Sequence, residues 1–128
     1  MLSIKTRAVM LAACGALAVT GVADASAPAK TKVTIEVSTN GYFSGTVKSP
    51  KPHRCADGRK ITLYKQLGAK QQPSVDAVIA YDTSELHGRR GVWSTGNIGG
   101  GSGKFYARAA RRTGCKAASS RTVNVQIQ

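Results

Sequence analysis

Apolar and polar residues alternate one for one along most of this chain, and a period of two buries a single face only when the backbone is extended. Arg121 to Gln128 (RTVNVQIQ) sets Val123, Val125 and Ile127 on one side and Thr122, Asn124 and Gln126 on the other. Lys32 to Ser38 (KVTIEVS) does the same with Val33, Ile35 and Val37. An Asn40-Gly41 turn signal leads into Tyr42 to Lys48 (YFSGTVK), where Phe43, Gly45 and Val47 share a face. A glycine in mid-strand predicts a bulge or a close backbone approach at Gly45. Arg59 to Gln66 (RKITLYKQ) points Ile61 and Leu63 inward, Thr62 and Tyr64 outward. Ser74 to Tyr81 (SVDAVIAY) is apolar on both faces, which fits a strand covered on both sides or a short helix; its β-branched content favours the strand.

Gly91 to Ala109 (GVWSTGNIGGGSGKFYARA) follows a polar turn at Asp82 to Gly91. Two apolar runs here flank the glycine-rich Gly96 to Gly103, which predicts a β-hairpin with a long, loose loop. The sum is about seven short strands punctuated by Gly, Pro, Asn and Asp, the pattern of an all-β, antiparallel, immunoglobulin-like sandwich. Residues 32–128 form its one domain, with 26–31 as a flexible lead-in. With one Trp, two Phe and four Tyr in the chain, Trp93 and Phe105 are expected in the core. Tyr64, Tyr81 and Tyr106, on the opposite faces, are the candidates for exposed stacking.

The first 25 residues have a different character. Lys5 and Arg7 precede an uncharged run, Ala8 to Ala23, closed by Ala23-Asp24-Ala25. That is the pattern of a signal peptide cut after Ala25; the alternative, Ala25-Ser26-Ala27, would leave Pro28 just after the cut. The run falls short of the roughly 20 apolar residues of a membrane helix, so no transmembrane span is expected after processing. Leu11-Ala12-Ala13-Cys14 has the form of a lipobox, but the apolar stretch before Cys14 is too short, which argues against a lipid anchor there. The expected location is secreted or cell-envelope. Two cysteines then remain, Cys55 and Cys115, and an even number in an exported chain favours a disulfide over a metal site or a nucleophile.

Catalytic constellations are lacking. His53 and His87 lie in polar loops without a carboxylate cluster, so no metal and no cofactor is expected. Asp82, Ser84 and His87 are neighbours in sequence, but neighbours in a turn do not make a triad, and no Gly-x-Ser-x-Gly elbow occurs. Gly99 to Gly103 joins two strands and runs through Lys104 into Phe105, unlike a phosphate-binding loop, which must open a helix. The chain is read as a non-enzyme.

Charge is the feature that exceeds expectation. The chain has 19 Lys and Arg against 6 Asp and Glu, a net charge of +13; loss of Lys5, Arg7 and Asp24 would leave +12. Lys48, Lys51, Arg54, Arg59 and Lys60 surround Cys55, and Arg108, Arg111, Arg112 and Lys116 surround Cys115, with only Asp57 between; Lys51, Arg54, Arg59, Lys60, Arg111, Arg112 and Lys116 are the expected anion-binding residues. A disulfide would bring both groups together as an anion-attracting patch. The expected partners are anionic cell-surface polymers or lipids. Specific nucleic-acid binding is not expected, because no aromatic residues interleave with these cations. A second reading makes the protein a secreted inhibitor of another enzyme, acting through the glycine-rich loop.

Three segments also carry a resemblance: Gly58 to Tyr64 after Cys55; Asp82-Thr83 with the turn to Gly91-Val92-Trp93; and Gly103 to Arg108 with Gly114-Cys115 and a last strand. Together they resemble the prealbumin-like sandwich modules of exported bacterial proteins, the carboxypeptidase regulatory-like and Cna B-type domains. The resemblance implies a stalk, spacer or binding platform. The Lys and Asn or Asp pairs that form isopeptide bonds in some Cna-like domains have no assignable counterparts. An immunoglobulin domain proper fits less well, because Trp93 lies far downstream of Cys55 instead of soon after it.

Overall fold

The computed structural model describes residues 27–39, 41–99 and 101–126. The expected leader, Cys14, Asn40 and the end of the last expected strand lie outside them. The strands are β1 (Lys32–Val33), β2 (Glu36–Val37), β3 (Tyr42–Lys48), β4 (Lys60–Gln66), β5 (Ala77–Thr83), β6 (Glu85–His87), β7 (Arg90–Asn97), β8 (Gly103–Ala109), β9 (Ala118–Ser119) and β10 (Val123–Val125). One short helix, α1 (Pro52–Cys55), interrupts them. They form two antiparallel sheets packed face to face. In sheet one β8 and β5 flank β4, and β9 and β10 share the far edge of β8. In sheet two β3 and β6 flank β7, and β1 and β2 share the far edge of β3. The protein is an all-β sandwich.

The inward residues are those the alternation selects. Val33, Ile35, Phe43 and Val47 from one sheet meet Ile61, Leu63, Phe105, Ala107, Val123 and Val125 from the other, around a Trp93 that is 1% exposed. The rings of Phe43 and Phe105 touch across the layers, 5.0 Å between centroids. Gly45 is required by close approach: a Cβ there would sit 2.0 Å from the Thr34 carbonyl oxygen and 2.7 Å from Trp93 Nε1. That space lets the indole donate to the Thr34 carbonyl at 3.2 Å. A β-bulge also falls beside it, between Phe43 and Ser44, where Thr95 of β7 is the extra residue.

The hairpin expected over Gly91 to Ala109 does not form. β7 lies in sheet two and β8 in sheet one, so the glycine-rich segment crosses between the layers. Each strand already has partners on both sides, β3 and β6 for β7, β4 and β9/β10 for β8, which leaves neither an edge to offer the other. The partner that displaces β8 comes from the expected polar turn. Glu85 to His87 pair with Arg90 to Val92 around a tight turn in which Gly88 has φ 70°, a value glycine adopts without strain.

The strand expected at Ser74 starts later, at Ala77, lies at the sheet edge, and leaves one face open, with Val78 and Tyr81 exposed. A bulge against β4 between Leu63 and Tyr64 shifts its alternation, so that Ile79 and Ala80 pack on the core while Val78 and Tyr81 face out. The lead-in is tied down as well: Ala29 bridges Cys115, its N–H donating to the Gly114 carbonyl at 2.9 Å and its carbonyl accepting from Lys116 N–H at 2.9 Å.

Candidate functional site: the basic end of the sandwich

Cys55 and Cys115 are joined, with Cα atoms 5.5 Å apart, and both are buried. The bond ties the α1 segment to the loop between β8 and β9, at the end of the sandwich where β4 begins and β8 finishes. Both segments must leave their sheets here, and their carbonyls lose ladder partners. Two arginines supply donors in place of the ladder. Arg59 Nη1 donates to the Cys55 carbonyl at 2.8 Å and Thr31 Oγ1 at 3.1 Å; Nη2 donates to the carbonyls of Ala110 at 2.7 Å and Lys116 at 3.2 Å. Arg112 donates to the carbonyls of Gly58 and Asp57, each at 3.0 Å, and of Arg54.

Arg59 is therefore a strut and not part of an accessible patch, being 1% exposed. Burial lowers its pKa, and the neighbouring charge of Arg112 lowers it further, yet a guanidinium keeps its proton in proteins. Arg112 is half-buried with its donors committed to carbonyls. The remaining expected anion-binding residues, Lys51, Arg54, Lys60, Arg111 and Lys116, are exposed. Lys60 stands slightly apart from them, its ammonium 4.1 Å above the Tyr81 ring. The disulfide thus gathers Lys51, Arg54, Arg111 and Lys116 at the surface over two buried or half-buried guanidinium groups.

The acidic residues do little to neutralise this end. Asp57 accepts from the Leu86 N–H at 3.1 Å, and Asp82 accepts from the Ser94 N–H at 2.7 Å. Glu85 pairs with His87 at 3.5 Å. Ser84 is buried, donating to the Ala56 carbonyl at 2.6 Å and accepting from the Arg59 N–H at 2.9 Å. It pins the chain where it crosses from β5 to β6, and its hydroxyl faces these backbone partners and neither Asp82 nor His87.

Tyr106 departs from expectation. It points to the outer face of sheet one but is fully buried, because the connection at residues 67–76 folds back over it. Its hydroxyl donates to Asp76 Oδ2 at 2.5 Å, and its ring stacks on Tyr64 at 5.1 Å. Asp76 also accepts from the N–H groups of Leu67 and Gln72, at 3.0 and 2.7 Å. Gln71 extends the strap, donating to the Ser120 carbonyl and Thr122 Oγ1, both at 2.9 Å. Of the three tyrosines expected outside, only Tyr81 is strongly exposed.

No family model matches this chain, and no curated protein does. The functional reading therefore rests on the geometry of the basic end.

Proposed function

We propose that this is an exported, non-enzymatic β-sandwich whose disulfide end binds anionic polymers or lipid surfaces of the cell envelope. One observation carries the reading: the cations at that end face solvent with little carboxylate to neutralise them. Lys51, Arg54, Arg111 and Lys116 are exposed around the disulfide, against a single carboxylate, Asp57, in the two segments it joins. Fields of this kind draw polyanions over roughly a Debye length of about 8–10 Å and weaken with salt. The disulfide supports export, because such bonds persist in oxidising compartments. The leader-like first 25 residues point the same way. The prealbumin-like resemblance supports a binding platform in preference to an enzyme.

The test is binding of the oxidised protein to anionic vesicles, to inorganic polyphosphate and to heparin between low and high salt, with neutral dextran and neutral vesicles as controls. Binding that is confined to the anionic probes and falls steeply as salt rises is the expected result. No binding to any anionic probe at low salt, with the fold intact, overturns the reading.

A further inference from the structure

Sheet two carries a rung of basic residues, two lysines, an arginine and a histidine. In its register Lys32 stands opposite Lys48, Lys48 opposite Arg90, and Arg90 opposite His87. Their neighbours along the strands, Val33, Val47, Gly91 and Leu86, form the next rung and face the core. Side chains alternate along a strand, so the four basic residues share the outer face, and all four are exposed. With strands about 4.8 Å apart, the rung is a line of about 14 Å running across the strands.

Like charges directly opposite one another destabilise a sheet. The same face shows that the sheet tolerates other residues. The next outward rung is Thr34, Thr46, Val92 and Glu85, and the one beyond includes Glu36, Ser44 and Ser94. Charge is thus concentrated in a single rung at the disulfide end and reverses toward the other. None of Lys32, Lys48 and Arg90 has an acidic partner among the described residues, whereas His87, at the end of the rung, pairs with Glu85 at 3.5 Å. The surface is also concave there. A cleft of 520 Å³ runs between Lys48 and the β6–β7 turn, lined by Lys48, His87, Arg89 and Arg90. A second, of 350 Å³, lies on the other side of Lys48 and adds Lys30 and Lys32. Lys48 and Ser49 line both, so the two shallow hollows adjoin at Lys48.

We infer that this rung is the track on which an extended polyanion lies, its tetrahedral oxyanions stepping from Lys32 across Lys48 to Arg90. The inference rests on the proposed anion binding and moves its centre from the disulfide loops to the outer face of sheet two. Lysines and arginines in a line match phosphate or sulfate groups repeated along a flexible chain. No Phe, Tyr or Trp lines either cleft, so the aromatic platforms on which single-strand binders stack successive bases are missing there. The ligand class is a linear polymer of phosphate or sulfate esters or anhydrides on a backbone without aromatic bases.

The experiment compares three oxidised proteins: wild type, a rung variant (Lys32→Gln, Lys48→Gln, Arg90→Gln) and a loop variant (Arg54→Ala, Arg111→Ala). Each is titrated with long-chain polyphosphate, with heparin, with tripolyphosphate and with single-stranded DNA, over a range of salt. The rung variant should bind the preferred polymer about 100-fold more weakly at about 0.1 M salt, with the slope of log K against log salt flattened by about 2–3. The loop variant should lose less than about tenfold, and tripolyphosphate, too short for the rung, should bind wild type at least about tenfold more weakly than the polymer. Polyphosphate against heparin separates phosphate from sulfate. The rung variant should melt no lower than wild type, and higher at low salt, because a repulsion is gone. If wild type binds polymer and only the loop variant loses it, the track is wrong while the anion-binding reading stands. Equal affinity for tripolyphosphate, or DNA bound through the rung as tightly as the polymers, also overturns it. No binding by wild type at low salt removes both readings.

Discussion

The two ends of β4 are held by buried charges of opposite sign. Before its first residue, Arg59 donates to carbonyls from two loops and to a hydroxyl from the lead-in. After its last, Asp76 accepts from two backbone N–H groups and a tyrosine hydroxyl. A cation can satisfy only acceptors and an anion only donors, so each hub suits the loops around it. Among the described residues neither is neutralised by an opposite charge, and hydrogen bonds compensate for burial. The difference lies in what surrounds them. Arg59 sits beside Arg112, under a surface of further cations, with a disulfide holding the same segments together. Asp76 has no covalent help and closes a strap over one face of sheet one. The disulfide end is built to tolerate concentrated positive charge; the other end is not asked to.

Removing the stronger hub should have the largest effect. Arg59→Met keeps the stem but leaves the carbonyls of Cys55, Ala110 and Lys116 without their donor, and should destabilise the fold by about 4 kcal/mol in chemical denaturation. Reducing the disulfide, which closes a loop of sequence separation 60, should lose about 4 kcal/mol in the chain-entropy picture. Both perturbations loosen the contact between residues 55–59 and 110–116, so the combined loss should be smaller than the sum. Simple additivity would show that the two devices hold different parts of the structure.

The anionic hub is the more sensitive to pH. Burial pushes the Asp76 carboxyl up, but hydrogen bonds from Leu67 N–H, the Tyr106 hydroxyl and Gln72 N–H outweigh it and hold the pKa below its ordinary 3.8. Tyr106 is raised above its ordinary 10.0, first by burial and then by its bond to Asp76 and that carboxylate's charge. The signs follow from linkage. The Asp76 contribution is present above pH 3.8 and lost as the pH falls through the folded value. The Tyr106 contribution is present below pH 10.0 and lost as the pH rises beyond it. Tyr106→Phe should destabilise by about 2 kcal/mol at neutral pH and flatten the alkaline loss. An alkaline limb as steep as wild type in that variant would show that another group drives it.

Much of the framework was legible in the sequence because alternation reports directly on which face is buried. Val33, Ile35, Phe43, Ile61 and Leu63 all lie where the period of two puts them, and Trp93 lies in the core where the scarcity of aromatic residues places it. The disulfide was legible from cysteine number, and Gly45 from its place in mid-strand. What the sequence hid is long-range. Whether Trp93 and Phe105 belong to one sheet or two depends on which edges are already occupied, and the three-residue β6 that occupies one has no strand signature of its own. Tyr106 alternates outward correctly; only a strap from residues 67–76 makes outward mean buried. Arg59 looks like every other cation near Cys55 until three segments converge on it. The cationic rung had the same difficulty, since Lys32, Lys48, His87 and Arg90 become neighbours only through register.

The smallest expected effect concerns a residue that belongs to neither hub. Thr95 is the extra residue of the bulge opposite Phe43 and Ser44, and its Oγ1 is buried with no hydrogen-bond partner among the described residues. An unpaired buried hydroxyl is disfavoured relative to a methyl group of similar shape, because desolvation is not compensated. Thr95→Val should therefore stabilise the protein by about 1 kcal/mol, with the opposite sign to the substitutions at Arg59 and Tyr106. Both ends of β4 show buried polar groups retained because every loop partner is satisfied. Thr95 has no loop to hold, and a bulge needs only its backbone and its branched shape, which valine keeps. Loss of stability on Thr95→Val, measured by denaturant midpoint at constant m-value, would mean that the hydroxyl holds the bulge through a partner, and that all three sites obey one rule.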